Sequence, residues 1–570
     1  MTGLGPVHQS IIKETTVMAN EFILRKGDRI VFLGDSITEQ QLYTNNVEAY
    51  LASRYPELKL TFFNAGWGGD TSPGGAKRLD RDVMALKPTV VTLCYGMNDG
   101  RYCPPTDEIR ETYVAGLKEI VARLKAAGVR VVLLTPGMVD ETVAPHLGAA
   151  EYNKKGLRIL ADEVLKLAAA EQLPVFDIHR LMNEVDQAGK AADPKFCMVP
   201  DSVHPDPAGH LVMAFGLLQA LGVPPRKEEL VVTGARAAGS EGLRAKRVRW
   251  NPYGVELTVQ LASLPFFVEP AARKVLPFLP FQETFNEARL VVKGLSADRA
   301  YMRSGIFRGA TVSREAFTAG VNLFDLWASN SMNAAAAVFN YTREKDQVYF
   351  RLWRVLGLNG MNSEWYNSKP HELAIKSGPA LDRAREKLMA KAARTLSFSV
   401  ISTDLPGEPV TDGDFIGRWS FLGPFPKPCT DDHVGGEALF TASVPAASAG
   451  WMAHDLDMAN LGNNLGAVFG AQNDCFIYAL ALLDSTVDQE AELLLGSDDG
   501  FALWLNGQQL GSSLALARGV TVDSDRFPVW LHKGRNVLLL KITQGNGSWG
   551  FCARFHGLQS PLSALRPGEQ

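Results

Sequence analysis

Arg29-Ile30-Val31-Phe32-Leu33-Gly34-Asp35-Ser36 sets the architecture of this chain. A short run rich in β-branched and aromatic side chains stops at a glycine, and Asp-Ser then reads as a helix start. The serine therefore leaves a buried strand through a tight turn, with its hydroxyl held at the strand's carboxyl end. In open α/β sheets that edge is where ligands bind. The first N–H groups of the following helix have no partner within it, and they can stabilise a developing negative charge.

On either side of this stretch, from about Phe22 to Val223, short apolar runs alternate with longer amphipathic ones. Strands are expected at Arg29–Leu33, Leu58–Asn64, Thr89–Tyr95, Val129–Thr135 and Val175–Ile178. Helical patterns fall near Gln40–Arg54, Gly75–Leu86, Thr106–Ala127, Ala149–Ala170 and Pro207–Leu221. Continuous apolar strands separated by helices imply a parallel sheet covered on both faces. Right-handed crossovers then place every strand-end loop on one edge.

Three regions are expected: an α/β domain over 22–228, a middle region over 229–395 of mixed β with a helix, and a jelly-roll-like β-sandwich over 396–562. In the middle region Val248–Leu261, Arg289–Leu295 and Gln347–Trp353 read as strands. Ala380–Ala393 reads as a solvated surface helix or interdomain strut. After Leu396, SFSVIS, FALWLNG, VTVDS, FPVWLH, NVLLLKIT and WGFCARF read as short strands between Gly, Asn and Asp turns.

With 570 residues the chain is too long for one core. Its 46% hydrophobic and 21% charged residues are ordinary for a globular protein. A net charge of −4 without a basic run makes nucleic acid and anionic membranes poor partners. Cys94, Cys103, Cys197, Cys429, Cys475 and Cys552 are too scattered for a disulfide framework or a zinc site. No stretch is long and apolar enough for a membrane span. The first twenty residues lack the apolar core of a secretory signal. The expected compartment is cytoplasmic as the sequence stands, and secreted or periplasmic if a leader has been removed. Oligomeric state is not legible.

Four blocks at strand ends carry chemistry. They are Gly34–Thr38, Asn64–Thr71, Gly96-Met97-Asn98-Asp99 and Asp201-Ser202-Val203-His204-Pro205. Acyl transfer needs a nucleophile, a base, a group that orients the base, and oxyanion donors. Ser36 suits the first role and His204 the second. Asp201 reaches the imidazole from the same loop. The N–H of Ser36, the N–H of Gly69 and the Asn98 amide suit the oxyanion.

These blocks resemble those of the SGNH hydrolases, also called GDSL esterases. The resemblance covers roughly the first two-fifths of the chain, with Ile37 where the namesake motif has Leu. It implies catalytic Ser36, Asp201 and His204, an oxyanion hole of Ser36, Gly69 and Asn98, and a flavodoxin-like three-layer α/β/α fold. It also implies ester hydrolysis through an acyl-enzyme, with neither metal nor cofactor.

Other residues have plainer readings. Asp35 and Asp70 read as capping or supporting residues. His210 reads as a helix-surface residue rather than a metal partner of Asp206, because the spacing fits no compact ligand set. Cys94 reads as a buried strand thiol, Cys197 is not needed for the chemistry, and His146 reads as loop. The C-terminal region resembles β-sandwich modules attached to carbohydrate-active proteins. There Asp498 and Asp499 are calcium candidates by analogy, although a turn between strands explains them as well. Trp419, Trp451, Trp504, Trp530 and Trp549 form either a sugar-stacking surface or, more simply, core. Leu356–Tyr366 either overhangs the crevice or packs between domains.

The expected function is removal of small acyl groups, acetyl above all, from carbohydrate esters. One alternative is a broad short-chain aryl-esterase or lipase-like enzyme. Another, of a different class, is a carbohydrate-binding protein with a vestigial hydrolase domain. The expected partner is a small-molecule or carbohydrate ester.

Overall fold

The computed structural model describes residues 21–143, 151–251, 254–304, 307–309, 311–325, 330–357, 368–391, 394–403, 407–441, 450–456, 461–515 and 517–566. Strands β1 (Arg29–Gly34), β2 (Thr61–Gly66), β3 (Val90–Cys94), β4 (Arg130–Leu134) and β5 (Val175–Phe176) form one parallel sheet. Their order is β2-β1-β3-β4-β5, the flavodoxin-like arrangement. It switches direction between β1 and β3, and a crevice opens there at the carboxyl ends.

The helices that serve this sheet are α1 (Ser36–Glu39), α2 (Leu42–Arg54), α3 (Ser72–Asp82), α4 (Asp107–Ala126), α5 (Arg158–Glu171), α6 (Ile178–Ala192) and α7 (Pro207–Ala220). Strand alternation divides the core in two. Ile30, Phe32 and Phe62 meet Val47, Val185 and Leu211 of α2, α6 and α7 on one face. Val31, Leu33 and Phe63 meet Leu79, Leu117 and Val164 of α3, α4 and α5 on the other.

Several strands expected from the sequence need correction. The run Val175–Ile178 yields only a two-residue strand. The Asp177 carboxylate accepts the Arg180 N–H and starts α6, whose Ile178, Leu181, Met182 and Val185 form a buried helical stripe. Gln347–Trp353 is not a strand. Its residues close the helix α8 (Asn330–Phe350) and open a wider helical turn, Arg351–Gly357. Tyr349 and Trp353, four apart, lie on one face.

The middle region wraps the α/β domain. Helix α7 is apolar all round and buried on nearly every side. Its outer face is covered by Phe281 and Phe285, the latter 5.4 Å from Phe215 ring to ring. A hairpin of α8 and α9 (Ser368–Lys391) covers α2 and β2. Helix α9 starts well before Ala380 and runs through Pro379. It is not a solvated strut. Its Asp382 and Arg385 are buried with Glu48 of α2 and Lys345 of α8. Lys345 and Arg385 both bond the Glu48 carboxylate, Lys345 lies 3.2 Å from Asp382 and from Asp346, and Arg385 lies 3.0 Å from Asp382. Burial alone pushes the Glu48 carboxyl up, but the two cations hold it below its ordinary value.

The remaining strands form sheets. Lys227–Thr233 pairs with Glu287–Lys293 and Arg236–Gly239, while Leu243–Asn251 and Gly254–Leu261 form a hairpin where one strand over Val248–Leu261 is expected. Thr395–Thr403, read from sequence as the opening of the terminal β-region, pairs instead with Gly254–Leu261 and Arg299–Ser304. The terminal sandwich packs an eight-stranded sheet on a three-stranded one over a shared core. Within it VTVDS is a loop, and the strand begins at Asp525.

Replacing Glu48 by Gln leaves Lys345 and Arg385 buried without their shared anion. We expect a stability loss of about 3 kcal/mol, read as an earlier urea midpoint for the N-terminal transition.

Candidate active site

Ser36 is the first residue of α1, directly after β1. Asp35 caps that helix through its carboxylate, which accepts the Ile37 N–H at 3.0 Å. Close packing fixes the turn. A Cβ on Gly66, at the end of β2, would lie 2.2 Å from the Glu39 backbone nitrogen, so only glycine lets β2 meet α1 backbone to backbone. The Trp67 N–H donates to the Gly34 carbonyl at 3.1 Å and joins the Gly68-Gly69 loop to the same turn. Gly69 has φ +73 with open space where a Cβ would stand. Its amide is therefore approachable, in a conformation that favours glycine.

Ser36 Oγ lies 2.9 Å from His204 Nε2, and His204 Nδ1 lies 2.7 Å from Asp201 Oδ2. The other Asp201 oxygen accepts the backbone N–H groups of His204 and Val203 at 2.6 and 2.9 Å. Partial burial pushes the Asp201 carboxyl up, but these hydrogen bonds outweigh it and hold the group below its ordinary value. The loop is pinned at Ser202, a non-glycine residue at φ +77. The Ser202 hydroxyl donates to the Asp140 carbonyl at 2.8 Å, and the Asp140 carboxylate pairs with Lys190 at 2.7 Å.

The Asn98 amide donates one N–H to the Asp70 carbonyl at 3.0 Å, which sets it beside the Gly69 loop. The Asn98 side-chain oxygen accepts the Tyr102 hydroxyl at 3.2 Å, and this fixes which way the amide faces. Arg101 and Tyr102 are consecutive non-glycine residues at φ +51 and +54. Such strain persists only where surrounding contacts hold it. Tyr102 is a site residue that reading the sequence misses, because the motif stops at Asp99. Asp70 supports the loop from beneath by accepting Arg78 Nε and the Tyr95 hydroxyl, each at 2.8 Å. Asp99 accepts the Ser72 N–H and hydroxyl at the start of α3.

The other candidates lie apart from this relay. His210 is wholly buried, not on a helix surface. Its ring stacks on Tyr43 at 6.0 Å, and its Nε2 bonds the Gln40 side-chain oxygen at 2.9 Å. Burial pulls its pKa down to about 3, so it stays neutral. The Asp206 carboxylate caps α7 and pairs with Lys274, and it is the Asp206 backbone carbonyl that accepts the His210 N–H, at 2.9 Å. Cys94 is buried and its thiol is pushed up by that burial, while Cys197 is partly exposed. Asp498 and Asp499 occupy the turn between strands Gln489–Ser497 and Phe501–Leu505, where the Asp499 carboxylate accepts the Gly545 N–H. Among the described residues no three His, Cys, Asp or Glu side chains are grouped to hold a metal ion. Trp419, Trp504 and Trp549 are core, Trp451 is half-buried and Trp530 is exposed. His146 lies outside the described residues, as does the Leu356–Tyr366 loop beyond Gly357.

Burial raises the Asp35 carboxyl to about 7, with Asp99 and Asp70 adding to it and the Ile37 N–H opposing it. The folded state therefore holds a proton that the unfolded chain releases near pH 4. Stability from this group is present at low pH and lost as pH rises from about 4 to about 7. Asn caps as well as Asp without ionising. We expect Asp35→Asn to gain thermal stability over the parent as pH rises from about 4 to about 7, with little difference at pH 4.

Residues 32–212 match the family model described as the GDSL-like Lipase/Acylhydrolase family. An acetylxylan esterase of Geobacillus stearothermophilus is 27% identical over 34% of this chain and 94% of its own length. An isoamyl acetate-hydrolyzing esterase of Saccharomyces cerevisiae is 23% identical over 34% of this chain and 86% of its own. A solved gut microbial diltiazem-metabolizing enzyme shares the fold, with a TM-score of 0.53 and 22% identity over 66% of this chain and 98% of that one. No described helix is long and apolar enough to cross a membrane. The chain carries an N-terminal GDSL/SGNH-type hydrolase domain, followed by β-rich domains.

Proposed function

We propose that this protein is a serine carboxylic-ester hydrolase that removes small acyl groups, acetyl first among them, from carbohydrate esters through an acyl-enzyme. The observation that carries the reading is the relay from Ser36 Oγ through His204 to Asp201, at 2.9 and 2.7 Å. With its Nδ1–H donated to Asp201, His204 keeps Nε2 as an acceptor for the serine proton. Oγ attacks the ester carbonyl as that proton moves. The N–H groups of Ser36 and Gly69 and the second N–H of Asn98 receive the charge that collects on the carbonyl oxygen. His204 then hands its proton to the leaving alcohol. Water repeats the sequence on the acyl-enzyme and releases the acid.

Acetyl is favoured because the two named esterase relatives share an acetate acyl group and differ in the alcohol. A sugar alcohol is favoured by the β-rich domains, which resemble modules of carbohydrate-active proteins. That preference for sugar rests on analogy.

The relay is tested by Ser36→Ala, which should abolish hydrolysis of p-nitrophenyl acetate. Parental turnover in that variant would sink the assignment. Tyr102→Phe removes one hydrogen bond worth about 1 kcal/mol, so kcat should fall roughly fivefold with KM little changed. Acetate release from acetylated xylan oligosaccharides, measured beside isoamyl acetate, tests the substrate. Equal rates on both would favour a broad short-chain esterase.

A further inference from the structure

One guanidinium from the middle region bridges the nucleophile helix and the Gly68-Gly69 loop. Arg354 sits in the helical turn Arg351–Gly357 after α8. Its Nε donates to Glu39 Oε1 at 3.2 Å, and its guanidinium carbon lies 3.5 Å from the centre of the Trp67 ring. Glu39 is the last residue of α1, the helix that Ser36 begins. Trp67 is the residue immediately before Gly68-Gly69. The Glu39 carboxylate also stands against the loop itself, since a Cβ on Gly68 would lie 2.8 Å from Oε2.

The surroundings make this bridge specific. Arg78 and Arg81 of α3 also flank Trp67, each at 5.7 Å from the ring centre. Their charges are paired with carboxylates of α3 and its loop, Arg78 with Asp70 and Asp82 and Arg81 with Asp82, and Arg78 also donates to the Gly34 carbonyl at 3.2 Å. Among the described residues, Arg354 is the cation that pairs with Glu39. Its own place is fixed by buried aromatics: Trp353 packs edge-on to Trp67 at 6.3 Å and stacks on Tyr349 at 5.9 Å. Arg354 and Glu39 are each only 23% exposed, so water screens the pair less than it would a surface pair. The stacked plane adds a cation–π attraction to the loop.

We infer that Arg354 is a positioning residue for the ester-hydrolysing site. It sets the Gly69 amide relative to Ser36, and so makes the middle region part of the catalytic apparatus. This role rests on the hydrolytic reading above. An oxyanion forms only on the way to the tetrahedral intermediate, so a displaced amide weakens the transition state more than substrate binding. Loss of Arg354 therefore appears in kcat rather than KM.

The test uses the full chain with p-nitrophenyl acetate and five variants: Ser36→Ala, Arg354→Met, Arg354→Lys, Glu39→Gln, and the double Arg354→Met/Glu39→Gln. Arg354→Met keeps the stem packed on Trp67 but removes charge and plane. We expect its kcat to fall about tenfold with KM within about twofold and an unchanged thermal midpoint. Arg354→Lys, which keeps the pair with Glu39, should recover part of the loss. The double variant should be no worse than the poorer single one, because both changes break the same contact. The positioning role is overturned if Arg354→Met keeps kcat within about twofold of the parent, or if the losses add and track a fall in thermal midpoint. Parental turnover in Ser36→Ala would instead sink the hydrolytic reading and this role with it. A dead Ser36→Ala beside an unaffected Arg354→Met sinks the positioning role alone.

Discussion

The hydrogen bond between Ser36 and His204 joins residues 168 positions apart, and it exists because β1 and the loop before α7 finish at the same edge of a parallel sheet. Right-handed crossovers deliver each strand end to that edge. The order β2-β1-β3-β4-β5 then opens a crevice where the winding reverses, between β1 and β3. Backbone contact tightens the arrangement further. Gly66 packs on Glu39, Trp67 bonds Gly34, and Asn98 bonds Asp70. Three of the blocks are therefore tied directly to one another rather than merely adjacent. The fourth, bearing Asp201 and His204, is anchored through Ser202 to Asp140 beyond β4.

That catalytic sheet is not self-sufficient in its packing. Helix α7 has no polar face to show water, and α2 buries Glu48 and Arg54. Both helices make physical sense only with the middle region in place. Phe281 and Phe285 cover α7, Lys345 and Arg385 neutralise Glu48, and Arg54 meets Ser263 and Glu228 at 3.0 and 3.3 Å. Buried charges of this kind are poor sources of net stability but strongly penalise any arrangement that leaves one unpaired. They therefore fix the seating of the hairpin on the α/β domain, and with it the place of Arg354 above Trp67.

Much of the candidate site is legible in the amino-acid sequence. Ser36, Gly69, Asn98, Asp201 and His204 stand in short blocks whose residue types suit the proposed chemistry; the first three blocks follow strands that apolar runs reveal, and the fourth stands just before α7. Where sequence and structure part, the cause is shared: a local pattern does not say what packs against it. Gln347–Trp353 alternates well enough to pass for a strand, yet Tyr349 and Trp353 are spaced for a helix face. Val175–Ile178 hides a helix start behind apolar residues, although Asp177 is a visible cap. His210 reads as a surface residue because one polar side chain in an apolar helix says nothing about what covers it.

Local patterns suffice for the parallel sheet, for the loops that form the candidate site, and for the residues proposed as nucleophile, base and orienting carboxylate. These features arise from apolar runs, helix caps, and residues whose neighbours in sequence are also their neighbours in space. The closed fold alone makes Tyr102 orient Asn98, keeps His210 buried and neutral, and lets Arg354 grip both Glu39 and Trp67. Each of these depends on which surfaces meet after the chain has closed on itself. Arg354 and Glu39 lie 315 positions apart, and no periodicity or spacing encodes a contact made only when two distant surfaces bury the same charge and the same ring.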